Sequence, residues 1–394
     1  MIRMKIVHIA PNAPYNEGWG YQENYLPRYQ ALLGHEVILV ITNTEHKNGK
    51  IEETLCTDTV SAEGFRVIRR KIRKVFNPAL TNILSLMDVY DILREEKPDF
   101  IFFHGLVSAT IFQVCRYKRK LNNKCVIVQD NHLDYNIGTI PSTIKRRVVR
   151  AIYRMYFRLT KKYIARVYGV TPWREVYAQD YFAVPSSMTD VLIMGAADEK
   201  LHLNKKAALR EEIRKEYNIR PNEFLIVTGA KIDRKKNIHL LMEAVNQLDG
   251  VRLIVFGNVL DDIKDEFERQ LSPKVKWIGF IDSDRAYDFF LSADLVVFPG
   301  QHSVFWEQAC ACKVPCLFAR WPGMEHVNNG GNSEFIDDIS VDGIREKISE
   351  LRFTPKYEKM KLAAESSNTD IYLYSKIAEK SLETVLKSNE NANK

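Results

Sequence analysis

The sequence predicts an α/β protein of two domains, each a parallel β-sheet wrapped by helices. Three observations carry this. Short β-branched apolar runs alternate with longer amphipathic stretches, the pattern of repeated β-α-β units. Most of these runs stop at a Gly, His, Asp or Pro, the residues of turns and sites. The pattern breaks in a charged stretch over residues 198–222 and begins again at Phe224. A chain of 394 residues with 45% hydrophobic side chains supplies two cores of ordinary size.

The elements follow in order. Lys5 to Ala10 is a buried strand. A loop rich in Pro, Asn and Gly, Pro11 to Gly20, leads to a helix from Tyr21 to Leu33 that Gly34 stops. Glu36 to Thr42 is the second strand. Phe65 to Arg69 and Phe100 to Phe103 follow, the latter ending at His104-Gly105. Cys125 to Gln129 ends at Asp130-Asn131-His132, Arg166 to Val170 at Thr171-Pro172, and Val191 to Met194 at Gly195. A charged helix, Ala207 to Tyr217, precedes the second series. That series holds strand Phe224 to Thr228, helix Ile238 to Leu248, and strands Val251 to Phe256, Val275 to Ile278, Leu295 to Phe298 and Cys316 to Phe318. The domains are expected over 1–200 and 201–371. Residues 372–394 are expected to form a helix, Tyr372 to Leu386, and a frayed tail from Ser388.

Composition excludes several classes. No apolar run reaches the ~18 residues of a membrane span. The six cysteines are scattered, and Cys310, Cys312 and Cys316 lack a second Cys/His pair nearby. They read as buried core thiols rather than a metal site. No secretory signal precedes the first strand, so a cytoplasmic, reducing location is expected. A net charge of +7 names no partner by itself, and no nucleic-acid recognition motif is present. The excess has one focus. Ile144 to Tyr168 carries nine Lys or Arg residues, Lys145 and Arg146 among them, with no acid between and with Tyr153, Tyr156 and Phe157 interleaved. Such a helix suits an anionic membrane surface, on the inner face if the acceptor is lipid-linked, or a solvated face over the sheet.

Ligands of open parallel sheets bind beyond the carboxyl ends of the strands. Gly229-Ala-Lys231-Ile-Asp-Arg-Lys-Lys236-Asn237 stands at such an end and opens a helix. Two lysines at a helix N-terminus form a pocket for a dianion. The Gly-Lys-Ser/Thr run of a P-loop is missing. Phe298-Pro-Gly300-Gln-His302-Ser303-Val-Phe-Trp-Glu307 is again strand, turn and helix. A carboxylate that accepts two hydroxyls suits a ribose.

These segments resemble the family 4 retaining glycosyltransferases (glycosyl transferases group 1), of surface-polysaccharide type. Gly229 to Asn237 resembles the family's Gly-Arg-Leu…Lys-Gly loop, with Lys231 and Lys236 at the pair that holds the donor diphosphate. Lysine for arginine at the first position keeps the charge and loses the bidentate fork. The second segment, through Cys310-Ala-Cys-Lys-Val-Pro315, resembles the signature whose second glutamate holds the donor ribose, here Glu307. The family's first glutamate falls on Pro299, and the loop is shortened. Gln301, His302 and Ser303 are its candidate replacements, with Gly300 beside them. Val275 to Phe280, around Ile278, resembles the segment that flanks the nucleotide base. The opening loop, with Gly18 and Gly20, is similar to the family's Gly-Gly loop, and Trp321 to Gly331 to its glutamate followed by a glycine turn. In relatives a histidine after the strand that matches Cys125 to Gln129 meets the reacting sugar. Asp130 and His132 are both candidates for that role, and His104 with Tyr21 for the acceptor.

The resemblance implies the GT-B fold, two facing Rossmann-like domains with the last helix returning to the first. It implies transfer of a sugar, a hexose being expected, from a nucleoside diphosphate sugar to a glycan or lipid-linked acceptor. It implies retention, no metal ion and no cofactor beyond the donor. A GT-B sugar-nucleotide epimerase or phosphorylase shares the same phosphate pocket and is the alternative. A dinucleotide-dependent oxidoreductase needs a Gly-x-Gly-x-x-Gly turn that neither half has.

Overall fold

A computed structural model describes residues 3–47, 50–135 and 144–392. The chain divides into two units, Met1–Ile193 with Ile377–Lys394, and Met194–Lys376. The changes of unit thus fall at 193/194 and 376/377, beside the expected 200 and 371. A physical reason is visible inside the second unit, whose two ends are joined. Ala196 bridges Leu373 in parallel, and the Asp198 carboxylate accepts from the Ser375 amide at 3.0 Å.

In the first unit the strands are β1 (Lys5–Ala10), β2 (Glu36–Thr42), β3 (Thr44–Lys47), β4 (Lys50–Glu53), β5 (Asp58–Val60), β6 (Arg66–Arg70), β7 (Phe100–Phe103), β8 (Val126–Asn131), β9 (Arg166–Gly169) and β10 (Thr189–Val191). Their order is β10-β9-β8-β7-β1-β2-β6-β5, and β3 pairs β4 in a separate hairpin. All pairs of the large sheet are parallel except β5 with β6. Strands buried on both faces read as continuous apolar runs. Val7, Ile9, Ile38, Val40, Ile101 and Phe103 are all within 2% of complete burial. Each contributes roughly 2 kcal/mol by leaving water. The order runs from β1 to β2 on one side and to β7 on the other, so the topological switch lies between β1 and β7.

The second unit contains β11 (Phe224–Gly229), β12 (Val251–Phe256), β13 (Val275–Trp277), β14 (Leu295–Phe298), β15 (Cys316–Ala319) and β16 (Ser333–Ile336). Their order is β13-β12-β11-β14-β15-β16, all parallel, with the switch between β11 and β14.

The expected helices form with ends moved by a residue or two, save the last. The Ile238 helix stops at Asn246. A further helix spans Ser283–Ser292. The last helix runs Tyr374–Ala392, so the stretch expected to fray from Ser388 is helical as far as Ala392. Among the described residues no helix is long and apolar enough to cross a membrane.

Candidate active site

In the second unit the site is built where the chain leaves β11 and β14. Gly229 ends β11 because nothing larger fits: a Cβ there would lie 2.1 Å from the Phe256 ring. A 3-10 turn, Arg234–Lys236, follows, capped by the Asp233 carboxylate, which accepts from the Lys236 amide at 3.1 Å. The loop after β14 lies directly on this turn. A Cβ on Gly300 would stand 2.4 Å from the Lys236 carbonyl carbon. The Gln301 amide donates to Lys235 O at 3.1 Å, and Asn237 Nδ2 to Pro299 O at 3.1 Å. Lys236 Nζ donates to Gln301 O at 2.7 Å and His302 O at 3.3 Å. An ammonium has three donors, so among the described residues one is left over. Burial pushes the Lys236 pKa down to about 8, against the opposing charge of Asp233. Lys231 lies nearby in sequence and is exposed.

Glu307 sits in the helix Phe305–Ala311, which starts five residues after Gly300. It is fully buried. His302 Nε2 donates to its Oε1 at 2.8 Å and to Oε2 at 3.0 Å, and His326 Nε2 donates to Oε1 at 2.8 Å. Burial works to raise the Glu307 pKa, but the two imidazoles outweigh it and hold it down at about 2. His302 stands edge-on to Trp306 at 5.3 Å, and Tyr372 Oη donates to His326 O at 2.5 Å. His326 was missed from sequence. It lies 19 residues beyond Glu307, in a segment read only as a glutamate and a glycine turn. The two histidines and the carboxylate have the ligand types of a cation site. Metal-bound histidines, however, hand their second nitrogen to a partner. Among the described residues His326 Nδ1 is buried without one. The hydrogen bonds themselves account for the cluster.

Ser303 begins the turn into that helix, its carbonyl accepting from the Trp306 amide at 3.0 Å. Ile278 follows β13 and donates its amide to Val255 O at 3.0 Å. Its neighbour Trp277 donates from Nε1 to Gly257 O at 3.0 Å, leaving Phe280 exposed at the loop tip. Cys310, Cys312 and Cys316 are all buried core thiols.

The first unit has its own cavity, about 210 Å³, at the ends of β1, β7 and β8. Its polar lining includes Asn12, Glu23, His104, Asn131 and His132. Asp130 is the fully buried centre behind that wall. Its Oδ2 accepts from His104 Nδ1 at 2.9 Å and His132 Nε2 at 3.2 Å, and its Oδ1 from the Gly105 amide at 2.7 Å. Burial alone would raise the Asp130 pKa, but the imidazoles hold it far below the carboxylate range. Burial also lowers the His132 pKa, and the Asp130 charge more than reverses this. His132 is the more open of the two histidines, 34% exposed against 4% for His104. The two sequence candidates, Asp130 and His132, thus act as one hydrogen-bonded pair.

Gly18, Gly20 and Tyr21 do not line this cavity. Their loop is fixed to the β3–β4 hairpin, with Asn16 bonded twice to His46 and Trp19 stacked on the His46 ring at 5.2 Å. Gly18 has a φ of +78°, which favours glycine. Tyr21 packs edge-on to Trp19 at 5.4 Å.

The basic stretch forms a helix, Ile144–Thr160, and a 3-10 turn, Lys161–Tyr163. Arg150 and Arg154 are turned inward onto the Asp180 and Tyr181 carbonyls. Ile144, Val148, Met155 and Leu159 are exposed. The Lys145 side chain lies outside the described residues.

Residues 209–366 match the family described as glycosyl transferases group 1. No curated protein matches the chain by sequence. Among solved structures it is similar to a glycosyltransferase from Rickettsia africae, at 14% identity and TM-score 0.70, covering 99% of each chain. It is similar to Anabaena Alr3699/HepE in complex with UDP, at 15% identity and TM-score 0.68, covering 98% of this chain and 100% of that one. It is also similar to WaaG, a glycosyltransferase involved in lipopolysaccharide biosynthesis, at 14% identity and TM-score 0.64, covering 96% and 99%. Identities this low establish the fold, the GT-B pairing of two Rossmann-like units. The two parallel sheets, each with its switch point, and the match over 209–366 show that the second unit carries a glycosyl transferases group 1 domain.

Proposed function

We propose that the protein moves a sugar, a hexose, from a nucleoside diphosphate sugar to a glycan or lipid-linked acceptor, with retention and without a metal ion. The observation that carries this is the joining of Lys236 to the loop that leads into Glu307. It sets a spare ammonium donor at the carboxyl end of β11 in a group 1 domain. Lys236, with the exposed Lys231, would neutralise the charge that develops on the leaving diphosphate, the electrostatic contribution that dominates such reactions. The leaving phosphate then assists deprotonation of the acceptor, as the family resemblance implies. The ribose is held at Glu307, through Oε2, which accepts the longer of the two bonds from His302. The first unit takes the acceptor, at the cavity that His132 lines.

A lipid-linked acceptor is supported by the helix Ile144–Thr160, where exposed apolar residues lie among arginines at four- and seven-residue spacing. Vesicles of anionic lipid should bind the protein, and Arg147→Glu/Arg158→Glu should release it. Equal binding by both chains would remove the membrane half of the proposal.

The nucleotide half is tested by calorimetry with UDP, GDP, ADP, CMP and TDP. One diphosphate should bind, UDP first among them given the Anabaena complex, and Lys231→Ala/Lys236→Ala should lose it. Binding of none by folded protein would overturn the reading. Turnover of the donor sugar without acceptor would indicate an epimerase instead.

A further inference from the structure

A row of buried polar side chains links the last helix to the cavity wall of the first unit, and its donor directions can be read one after another. Ser381 Oγ lies 2.7 Å from the Ala378 carbonyl, which only accepts, so the hydroxyl donates there. Its oxygen then accepts from Gln30 Nε2 at 2.9 Å. That turns Gln30 Oε1 toward His8, and His8 Nε2 carries the proton of the 2.7 Å bond between them. His8 is fully buried, lies face-on to Phe102 at 5.3 Å and, among the described residues, has no carboxylate bonded to it. Burial drives its pKa down to about 3, so it is neutral. Its Nδ1 is therefore an acceptor, and His104 Nε2 donates to it at 3.0 Å. The other nitrogen of His104 meets the Asp130 carboxylate at 2.9 Å, and a carboxylate also only accepts.

We infer that His104 carries protons on both ring nitrogens, as a buried imidazolium paired with Asp130, and that Gln30 and His8 are positioning residues that impose this charge on the cavity wall. Reversing the Gln30 amide would set its oxygen against a hydroxyl already spent on Ala378. The all-neutral arrangement therefore breaks a bond at the far end of the row.

The consequence falls on His132, which shares Asp130 Oδ2 with His104. A cation on the other side of that carboxylate weakens its hold on a proton at His132. The remaining charges that face His132 are Glu23, from the helix Gln22–Leu32, and Arg174, from the helix Pro172–Phe182. The inference deepens the proposed function and rests on it only for its effect on turnover.

The test is ring-nitrogen NMR on the full chain with nitrogen-labelled histidine. At neutral pH His104 should show two protonated nitrogens. His8→Phe removes the acceptor and should return His104 to one proton. It should also raise the titration midpoint of His132 by about one pH unit, because Asp130 is no longer neutralised. Gln30→Leu frees the tautomer of His8 and should act in the same direction, which covers a failure of His8→Phe to fold. A bare ring nitrogen on His104 in the wild-type chain overturns the inference. So does a His132 midpoint that neither variant moves. If the midpoint moves and the acidic limb of the turnover profile does not, the charge assignment stands and His132 drops out of the reaction.

Discussion

Lys236 Nζ donates to the main-chain carbonyl of Gln301 at 2.7 Å, which makes the turn after β11 and the loop after β14 one polar structure. Lys236→Ala should therefore do two things. It should weaken nucleotide binding by at least about tenfold, the scale of a charged hydrogen bond. It should also loosen the 299–302 loop, read as faster amide exchange there.

The pH dependence of nucleotide binding follows from the same lysine. In the free protein burial holds Lys236 at about 8, so the charged form is present below that value and lost above it. A diphosphate favours the charged form. Binding should take up a proton above about pH 8, and affinity should fall by up to about tenfold per pH unit there. Calorimetry in buffers of different ionisation heat measures the uptake directly.

Gly300→Ala should be far more costly than an exposed glycine change, since its Cβ would meet main-chain atoms of Lys235 and Lys236 at about 2.5 Å. Backbone cannot swing away as a side chain can. A loss of about 2 kcal/mol or more in urea unfolding, with loss of nucleotide binding, is expected.

Glu307 ties stability to acid. Its folded value of about 2 lies below the ordinary carboxylate value. The stabilisation is complete above the unfolded value and is lost as pH falls through about 2. His326→Ala removes one of the two donors to Oε1 and should destabilise the second unit by about 1–3 kcal/mol. The acid transition should move to higher pH, followed by circular dichroism.

His132→Ala should lower turnover by about a hundredfold or more while leaving nucleotide affinity unchanged, because nucleotide binding is assigned to the second unit. Equal losses in both quantities would contradict that division.

The strands were legible where burial on both faces demands an unbroken apolar run. Lys5–Ala10, Glu36–Thr42, Val251–Phe256 and Leu295–Phe298 form as read. The β3–β4 hairpin and β5 were not legible, because they are polar and largely exposed. β16 was hidden as a four-residue edge strand after Gly330-Gly331. Strand-end position marked Lys236, His104 and Asp130 as candidates, and the family resemblance marked Glu307. It could not mark His326, which reaches Glu307 from a separate loop, nor His8, a single histidine inside an apolar strand. Hydrogen-bond direction, which decides what His8 and His104 do, has no trace in sequence at all.

The bonds from Gln30 to Ser381 and from Tyr168 to Thr384 at 2.8 Å have a further meaning for biosynthesis. Both join the early part of the chain to the final helix. On the ribosome the first unit begins to emerge before the second, yet its polar row stays open until Ser381 and Thr384 have been made. The second unit, complete by Lys376, is free to fold before its predecessor can. Of the two units, the one that starts earlier is the one that closes later.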